Sequence, residues 1–287
     1  AISAGANYDD KFYFGITLGI QSLHYKSFSV YTEEIIGETN NKLEKFSMYQ
    51  DFTSSGVGIN FKAGFIYRPI PVLRLGFAIH TPTYYDLDAY ANNNVSAKFT
   101  ELPVEDAKPT EKFEYGESAW TDYSYKLKTP WRLMASAATV LGQRAIISFD
   151  YEYVDYTTAK YSNDGAKNEY LETNNAIKAI YKSTHNFRAG AEYRFNSVFC
   201  LRGGYAYSAS PYTKGEMNEK NDIQTITGGL GLNFGVFYAD LAYLHKNSKL
   251  NGLFYYYETS KGEVIESPEF QTKFKDNEFR LTLGIRF

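Results

Sequence analysis

The chain of 287 residues lacks most of what would mark a soluble enzyme or a helical membrane protein. It has one cysteine, Cys200, so neither an internal disulfide nor a cysteine metal knuckle can form. Its four histidines are scattered, and no nucleophile, base and orienting group stand together in a pattern that supports catalysis, so no enzyme, cofactor or metal is expected. Positive charge is not in excess: 30 Lys and Arg against 33 Asp and Glu leave a net charge of -3, which removes the electrostatic footprint of a nucleic-acid partner. No run of eighteen apolar residues occurs. The best stretch, Leu133 to Gly142, is bracketed by Arg132 and by Gln143-Arg144, which excludes a membrane-spanning helix. No charged segment followed by an apolar core opens the sequence, so an export signal is not part of it. No Pro-, Ser- or Gly-rich linker divides it, and a single domain over 1–287 is expected.

Aromatic residues are what the chain has in quantity: 27 Tyr, 21 Phe and 2 Trp. A composition 44% hydrophobic and 22% charged excludes disorder. The mean hydropathy of -0.42 does not exclude a membrane. A spanning β-strand needs only about 9–11 residues with every second one apolar, which hides it from a hydropathy scan.

Period two is the dominant pattern. At the C-terminus Phe279, Leu281, Leu283, Ile285 and Phe287 alternate with Arg280, Thr282, Gly284 and Arg286, so the apolar groups share one face and both arginines the other. The same split runs through Phe12 to Gln21, Val57 to Phe65, Leu73 to His80, Ile147 to Tyr153, Phe187 to Phe195, Phe199 to Tyr207, Ile226 to Phe234 and Phe237 to Tyr243. Tyr125, Leu127, Trp131, Leu133 and Ala135 are expected to share a face on one further strand, giving ten in all. Short turns at Tyr8–Lys11, Arg68–Val72, Leu141–Ala145, Phe195–Phe199 and Phe234–Val236 alternate with long polar segments near 28–44, 85–120, 160–183, 211–222 and 246–271. Short turns on one rim and long loops on the other are the layout of a bacterial outer-membrane barrel.

A soluble sandwich or lipocalin-like barrel shares the alternation. Three features favour the membrane: the second face carries Arg and Glu beside Gly and Ala, as a wet lumen does; Tyr and Trp gather near strand ends; and the chain ends on Phe287 after an alternating strand. The fold class is therefore all-β, a transmembrane antiparallel β-barrel in the bacterial outer membrane, with outer-membrane lipid and lipopolysaccharide around it.

The run Arg68-Pro69-Ile70-Pro71-Val72-Leu73-Arg74-Leu75-Gly76-Phe77-Ala78-Ile79-His80-Thr81-Pro82-Thr83-Tyr84-Tyr85 resembles a hairpin of the FadL/TodX-type transporters of hydrophobic compounds, in the form found in Bacteroidetes. Tyr125-Lys126-Leu127-Lys128-Thr129-Pro130-Trp131-Arg132 with Ile147 to Tyr156 resembles the next hairpin, and Arg202 to Tyr207 and the last strand continue the likeness. The resemblance implies a fourteen-stranded barrel with an N-terminal hatch, which carries long-chain fatty acids or other apolar molecules from an extracellular groove and releases them sideways through a kinked early strand. It makes this chain the last ten strands. The hatch and its Asn-Pro-Ala signature are absent, and Ile2 to Tyr8 look like the descending end of a further strand, so the missing N-terminal part of the barrel, or another chain, is an expected partner. Barrels of this type in the same bacteria also serve as scaffold partners of protein-secretion machines, which is the alternative function.

Candidate ligand-binding residues are those expected in the lumen: Arg74, His80, Tyr84, Arg132, Arg188 and Arg202. A guanidinium can hold a carboxylate by two bonds, which suits a fatty-acid head. His80 stands just before Thr81-Pro82, and Pro82 should mark where regular pairing ends, because it cannot donate to a ladder. Asp150 and Glu152 are expected to pair with Arg132, Arg188, Arg194 or Arg202 in a structural ladder and not to act as acid and base. Asp86-Leu87-Asp88 has too few oxygens for calcium, His24 and His245 are rim residues, and Gly228-Gly229-Leu230-Gly231 lies inside a strand and is not a nucleotide loop.

Overall fold

The computed structural model describes residues 1–36, 43–99, 113–117, 121–142, 144–165 and 169–285. The strands are β1 (Ile2–Tyr8), β2 (Phe12–Glu34), β3 (Leu43–Ile70), β4 (Leu73–His80), β5 (Tyr84–Phe99), β6 (Phe113–Glu117), β7 (Thr121–Lys128), β8 (Arg132–Leu141), β9 (Ala145–Asp155) and β10 (Lys160–Ser162). A helix, α1 (Leu171–Ile180), follows, and then β11 (Ser183–Arg194), β12 (Phe199–Ser208), β13 (Ile223–Asn233), β14 (Phe237–Leu253), β15 (Tyr256–Glu258), β16 (Val264–Glu266) and β17 (Glu269–Ile285). β15 and β16 form a separate hairpin; all other strands belong to one antiparallel sheet of fifteen.

The ten alternating segments all lie in that sheet, and Ile2 to Tyr8 is β1, paired with β2 through Ile2↔Leu18 to Tyr8↔Phe12. The count of hydrogen-bonded strands exceeds ten because three chain passes are each broken in two, and β1 and the short β6 are added. The short turns are as expected. Asp9 and Asp10 take positive φ of 53° and 47° in the first, and Gly142 and Gly235 do so in two others, the backbone such tight connections require. The long segments are not all loops. β5 and β6 lie within what the sequence assigns to the loop 85–120, and β2, β3, β14 and β17 run well into the other long segments. The residues 100–112 and 118–120 of that loop, Gln143, and the terminal Arg286 and Phe287 lie outside the described residues.

The breaks occur side by side. β4 and β5 both pair with β3 and are separated by Thr81, Pro82 and Thr83; β8 and β7 lie beside them and are separated by Thr129, Pro130 and Trp131; β9 and β10 come next, separated by the segment 156–159. Each break moves the alternation by an odd number of residues. In β4, Ile79 faces the same side as Ala63 and Leu133, whereas in β5 it is Tyr84 that lies beside Ile59 on that side, with Lys128 and Lys160 continuing the row. Tyr125 and Leu127 therefore face opposite to Leu133 and Ala135, not with them as the sequence suggests. Pro82 is fully buried and does interrupt pairing, but pairing resumes two residues later.

Side chains stitch the breaks. Thr81 N–H donates to the Phe61 carbonyl and its Oγ1 accepts from Phe61 N–H, both at 2.9 Å. Thr83 N–H donates to Thr129 Oγ1 at 2.8 Å, and Thr129 N–H returns to the Thr83 carbonyl at 3.1 Å. Asp155 accepts from Thr157 N–H and Oγ1, closing a single turn of 3-10 helix. These bonds satisfy backbone groups that a broken ladder would leave bare.

The two faces differ in kind. Below the breaks the outward face is apolar and exposed: Phe14, Phe65, Phe77, Phe149, Phe187 and Leu241 are among its large hydrophobics. Above them it carries Asp86, Asp88, Lys126 and Lys128, with exposed Trp131 and Tyr84 at the level of the change. The core is on the inward face. Leu87 and Ala89 are 1% and 0% exposed, under Tyr125, whose ring lies 5.6 Å from Tyr161 and whose hydroxyl is 2.9 Å from Ser54 Oγ. The sheet curls enough for the inward-facing Tyr31 of β2 to meet Phe254 and Tyr255, between β14 and β15, at ring distances of 5.9 and 5.6 Å.

Candidate functional site

Six strands, β2, β3, β4, β8, β9 and β11, line an inward cavity of about 460 Å³ below the breaks. Its floor is made of small or apolar residues in register: Gly15, Gly64, Ala78 and Met134 form one row, and Ile66, Gly76 and Ser136 the next. Glu152, Asn186, Asp150 and Arg188 close one side. That mixture, an apolar floor with a few polar groups, is typical of a small-molecule site, and the volume falls in the usual range. A second cavity of about 510 Å³ lies beside it toward β12, β13 and β14, with Arg188 lining both.

Arg202 occupies the second cavity and is fully engaged: its Nε donates to Glu192 at 2.8 Å and its Nη1 to Asp240. Arg194 also holds Glu192, at 2.7 Å. Arg132 lies 3.7 Å from Glu152, which accepts a bond from Asn186 at 3.0 Å. The ladder of arginines and carboxylates is thus present, but its main acid is Glu192, and Asp150 stands opposite Arg188 without an ion pair. Arg188 and Arg74 make no ion pair with any described residue. Arg74 sits low on the wall, opposite Ala138 and away from the first cavity.

His80 faces inward, directly opposite Lys62 on one side and Arg132 on the other. Tyr84 does not share its face. The odd shift at Thr81–Thr83 turns Tyr84 outward beside Ile59, where it is 60% exposed, so it cannot line the lumen. Of the six expected residues, the structure brings together His80 and Arg132, places Arg188 two inward rows further on between the two cavities, leaves Arg202 in the second cavity and Arg74 below, and puts Tyr84 outside. Lys62 was not among them. A count from the Arg68–Val72 turn would have set it opposite Thr81, because the register shifts between Ile70 and Tyr67, and only beyond that irregularity does residue 62 stand opposite 80.

An exposed apolar band on one face, a polar and partly buried face on the other, and a sheet that curls toward closure define a transmembrane β-barrel. The chain belongs to the family described as outer membrane protein transport protein (OMPP1/FadL/TodX), whose sequence profile matches residues 9–232. It is an outer-membrane barrel of a family of transport proteins for hydrophobic compounds. No curated protein matches it. Among solved structures it is similar to a FadL homologue of Pseudomonas aeruginosa, at 12% identity and a TM-score of 0.53, over 99% of this chain and 77% of that one. It is also similar to the toluene transporter TodX of Pseudomonas putida, at 12% identity and a TM-score of 0.47, over 99% of this chain and 81% of that one.

Proposed function

We propose that this barrel carries hydrophobic small molecules, long-chain fatty acids among them, across the outer membrane by passive passage down their gradient. The observation that carries the reading is the first cavity. It has a floor of Gly15, Gly64, Ala78, Met134 and Ile66 inside a wall that otherwise bears charge. Above the breaks the inward face becomes apolar again, with Leu87, Ala89, Leu127 and the Tyr125–Tyr161 pair, so an apolar molecule meets favourable surface at both levels. The outward band of Phe, Leu and Ile is solvated by membrane lipid and lipopolysaccharide. Uptake of a labelled long-chain fatty acid into liposomes, with and without the reconstituted protein, tests the proposal. Faster uptake with protein supports it, and equal rates overturn it. Co-purification with a larger secretion assembly, together with equal rates, favours the scaffold role instead.

A further inference from the structure

On the outward face of β17 the residue types change in order with height. Leu283, Leu281 and Phe279 belong to the exposed apolar band, Asn277 follows, and then come Lys275 and Lys273. Asn277 marks the transition: its Oδ1 accepts from the Tyr243 hydroxyl at 2.8 Å and lies 2.8 Å from His245 Nδ1. Rings with polar tips suit the level where hydrocarbon gives way to headgroups. One row higher Lys275 stands opposite Asn247, and the next outward row opposes Lys249 to Lys273. Like charges directly opposed across a ladder repel, so that pair works against the sheet that holds it. Lys220, from the segment 209–222, joins these three around a cavity of about 270 Å³. All four lysines are exposed, and none makes an ion pair or a side-chain hydrogen bond with any described residue. Asp222, the carboxylate of the lining, accepts the Ser210 N–H at 2.8 Å. Asp276 is on the opposite face, 3.9 Å from Lys246. The cavity lies at the long-loop end of the strands, the extracellular side, since the short turn between β13 and β14 is at the other end.

We propose that Lys220, Lys249, Lys273 and Lys275 form an outward-facing site for the phosphates of lipid A, the phosphorylated glycolipid of the outer leaflet, whose acyl chains lie against Phe279, Leu281 and Leu283. The two halves of that molecule match the two halves of the wall. A phosphate relieves the repulsion between Lys249 and Lys273 and accepts charge-assisted bonds from them. Ammonium groups on long, flexible stems close on it from β14, from β17 and from the segment 209–222. The apolar band alone holds any lipid, whereas the lysines select one that carries negative charge at their height. Bound there, the glycolipid ties the segment 209–222 to β14 and β17, because its phosphates are shared between Lys220 and the strand lysines. The site faces lipid and not the lumen, so it is independent of what passes through the barrel.

Native mass spectrometry of the detergent-purified barrel, titrated with diphosphoryl lipid A and with the same lipid stripped of both phosphates, tests the site. The wild type is expected to hold the phosphorylated lipid about tenfold more tightly. In the triple variant Lys249→Gln, Lys273→Gln, Lys275→Gln that preference is lost, while binding of the stripped lipid is unchanged. The corresponding triple change to Arg keeps the preference. If the triple Gln variant does not fold, Lys275→Gln alone is measured; it loses part of the preference, and a full preference there overturns the site. Inorganic phosphate in millimolar excess leaves the lipid bound, and its displacement overturns the lipid assignment in favour of a free-ion site. Equal binding of the two lipids by the wild type, or an equal fall of both in the Gln variant, overturns the site. Each of these results leaves the passage of apolar molecules standing, since liposome uptake reads that separately.

Discussion

The side-chain amide of Asn174 completes the edge of β10: its Nδ2 donates to the Tyr161 carbonyl and its Oδ1 accepts from Tyr161 N–H, both at 2.8 Å. β10 has left β11 at this height to pair with β7, so its other edge has no strand beside it. A single helical side chain from α1 does what a neighbouring strand does elsewhere. Asn174→Ala bares both backbone groups, and each unsatisfied group costs about 1–3 kcal/mol where water is excluded. Amide exchange of Tyr161 should rise by one to two orders of magnitude, about what that free energy implies. The urea midpoint of the whole barrel should hardly move, because the ladders below the breaks are untouched. Asn174→Asp keeps the acceptor only and should give an intermediate rate.

Thr129 is expected to matter through its hydroxyl. Its Oγ1 receives Thr83 N–H at 2.8 Å beside the buried Pro82. Thr129→Val preserves shape and removes the acceptor, leaving a backbone donor without a partner at a cost of about 1–3 kcal/mol. Thr129→Ser should recover most of it. Urea unfolding followed by tryptophan fluorescence reads both, and an unchanged midpoint for Thr129→Val would show that the stitch carries no weight.

Gly56 allows a close approach that no other residue allows. A Cβ there would run into the carbonyl oxygen of Asp86 and approach Leu87 Cα at 3.0 Å, and these are backbone atoms that cannot swing aside. Gly56→Ala should cost about 2 kcal/mol or more through forced separation of β3 and β5. Gly15→Ala is the control, since nothing lies within 4 Å of its added Cβ. The folded fraction on heat-modifiable gel mobility should drop for the first variant and hold for the second.

Tyr181 and Tyr212 meet above the membrane-spanning wall, between α1 and β11, with ring centroids 5.1 Å apart. Burial first, and then the hydrogen bond with Tyr212, pushes the Tyr181 hydroxyl up to about 12. The fold thus favours the neutral phenol. Its contribution to stability is complete below the ordinary tyrosine value of about 10 and is lost as pH rises from there through about 12. Absorbance titration near 295 nm should show late tyrosinate formation, part of which moves earlier in Tyr212→Phe. A titration identical in both proteins would refute the contact.

Below the breaks the fold was legible, because alternation alone fixes which residues face lipid when the strand is regular and one side is apolar. Leu73 to His80 and Ile147 to Tyr153 read correctly for that reason. Above the breaks alternation continues but changes phase, and a window that spans Thr129–Trp131 averages two opposite settings into one false face. β5 was hidden for a related cause. Asp86, Asp88, Asn92, Asn93 and Asn94 give it the composition of a loop, yet its backbone is paired along its length by β3 and, on the other side, by β7 over Tyr84–Ala91 and by β6 over Asn94–Lys98. Polar residues suit a strand that stands clear of the lipid, so composition loses its meaning there.

The candidate site was legible in its residue types and less so in its geometry. His80 and Arg132 were placed inward by alternation, and the structure adds that they are neighbours. Tyr84 was assigned inward because the count was carried through Pro82 as though the strand were unbroken. Lys62 went unnoticed because a single lysine in a strand of Gly, Ala and Phe reads as an ordinary polar position until its register partner is known.

The three adjacent phase changes tie the upper wall into one unit. Inserting or deleting a single residue at Thr81–Thr83 alone would turn β5 inside out, sending Leu87 and Ala89 into water and Asp86 and Asp88 into the lumen, while β7 and β10 kept their setting. No ladder can absorb that mismatch. β3 is unbroken at this height and pairs β5 on its other side, so length changes in these segments keep the setting only in even steps, and the wall's upper storey can be remodelled by substitution far more readily than by insertion.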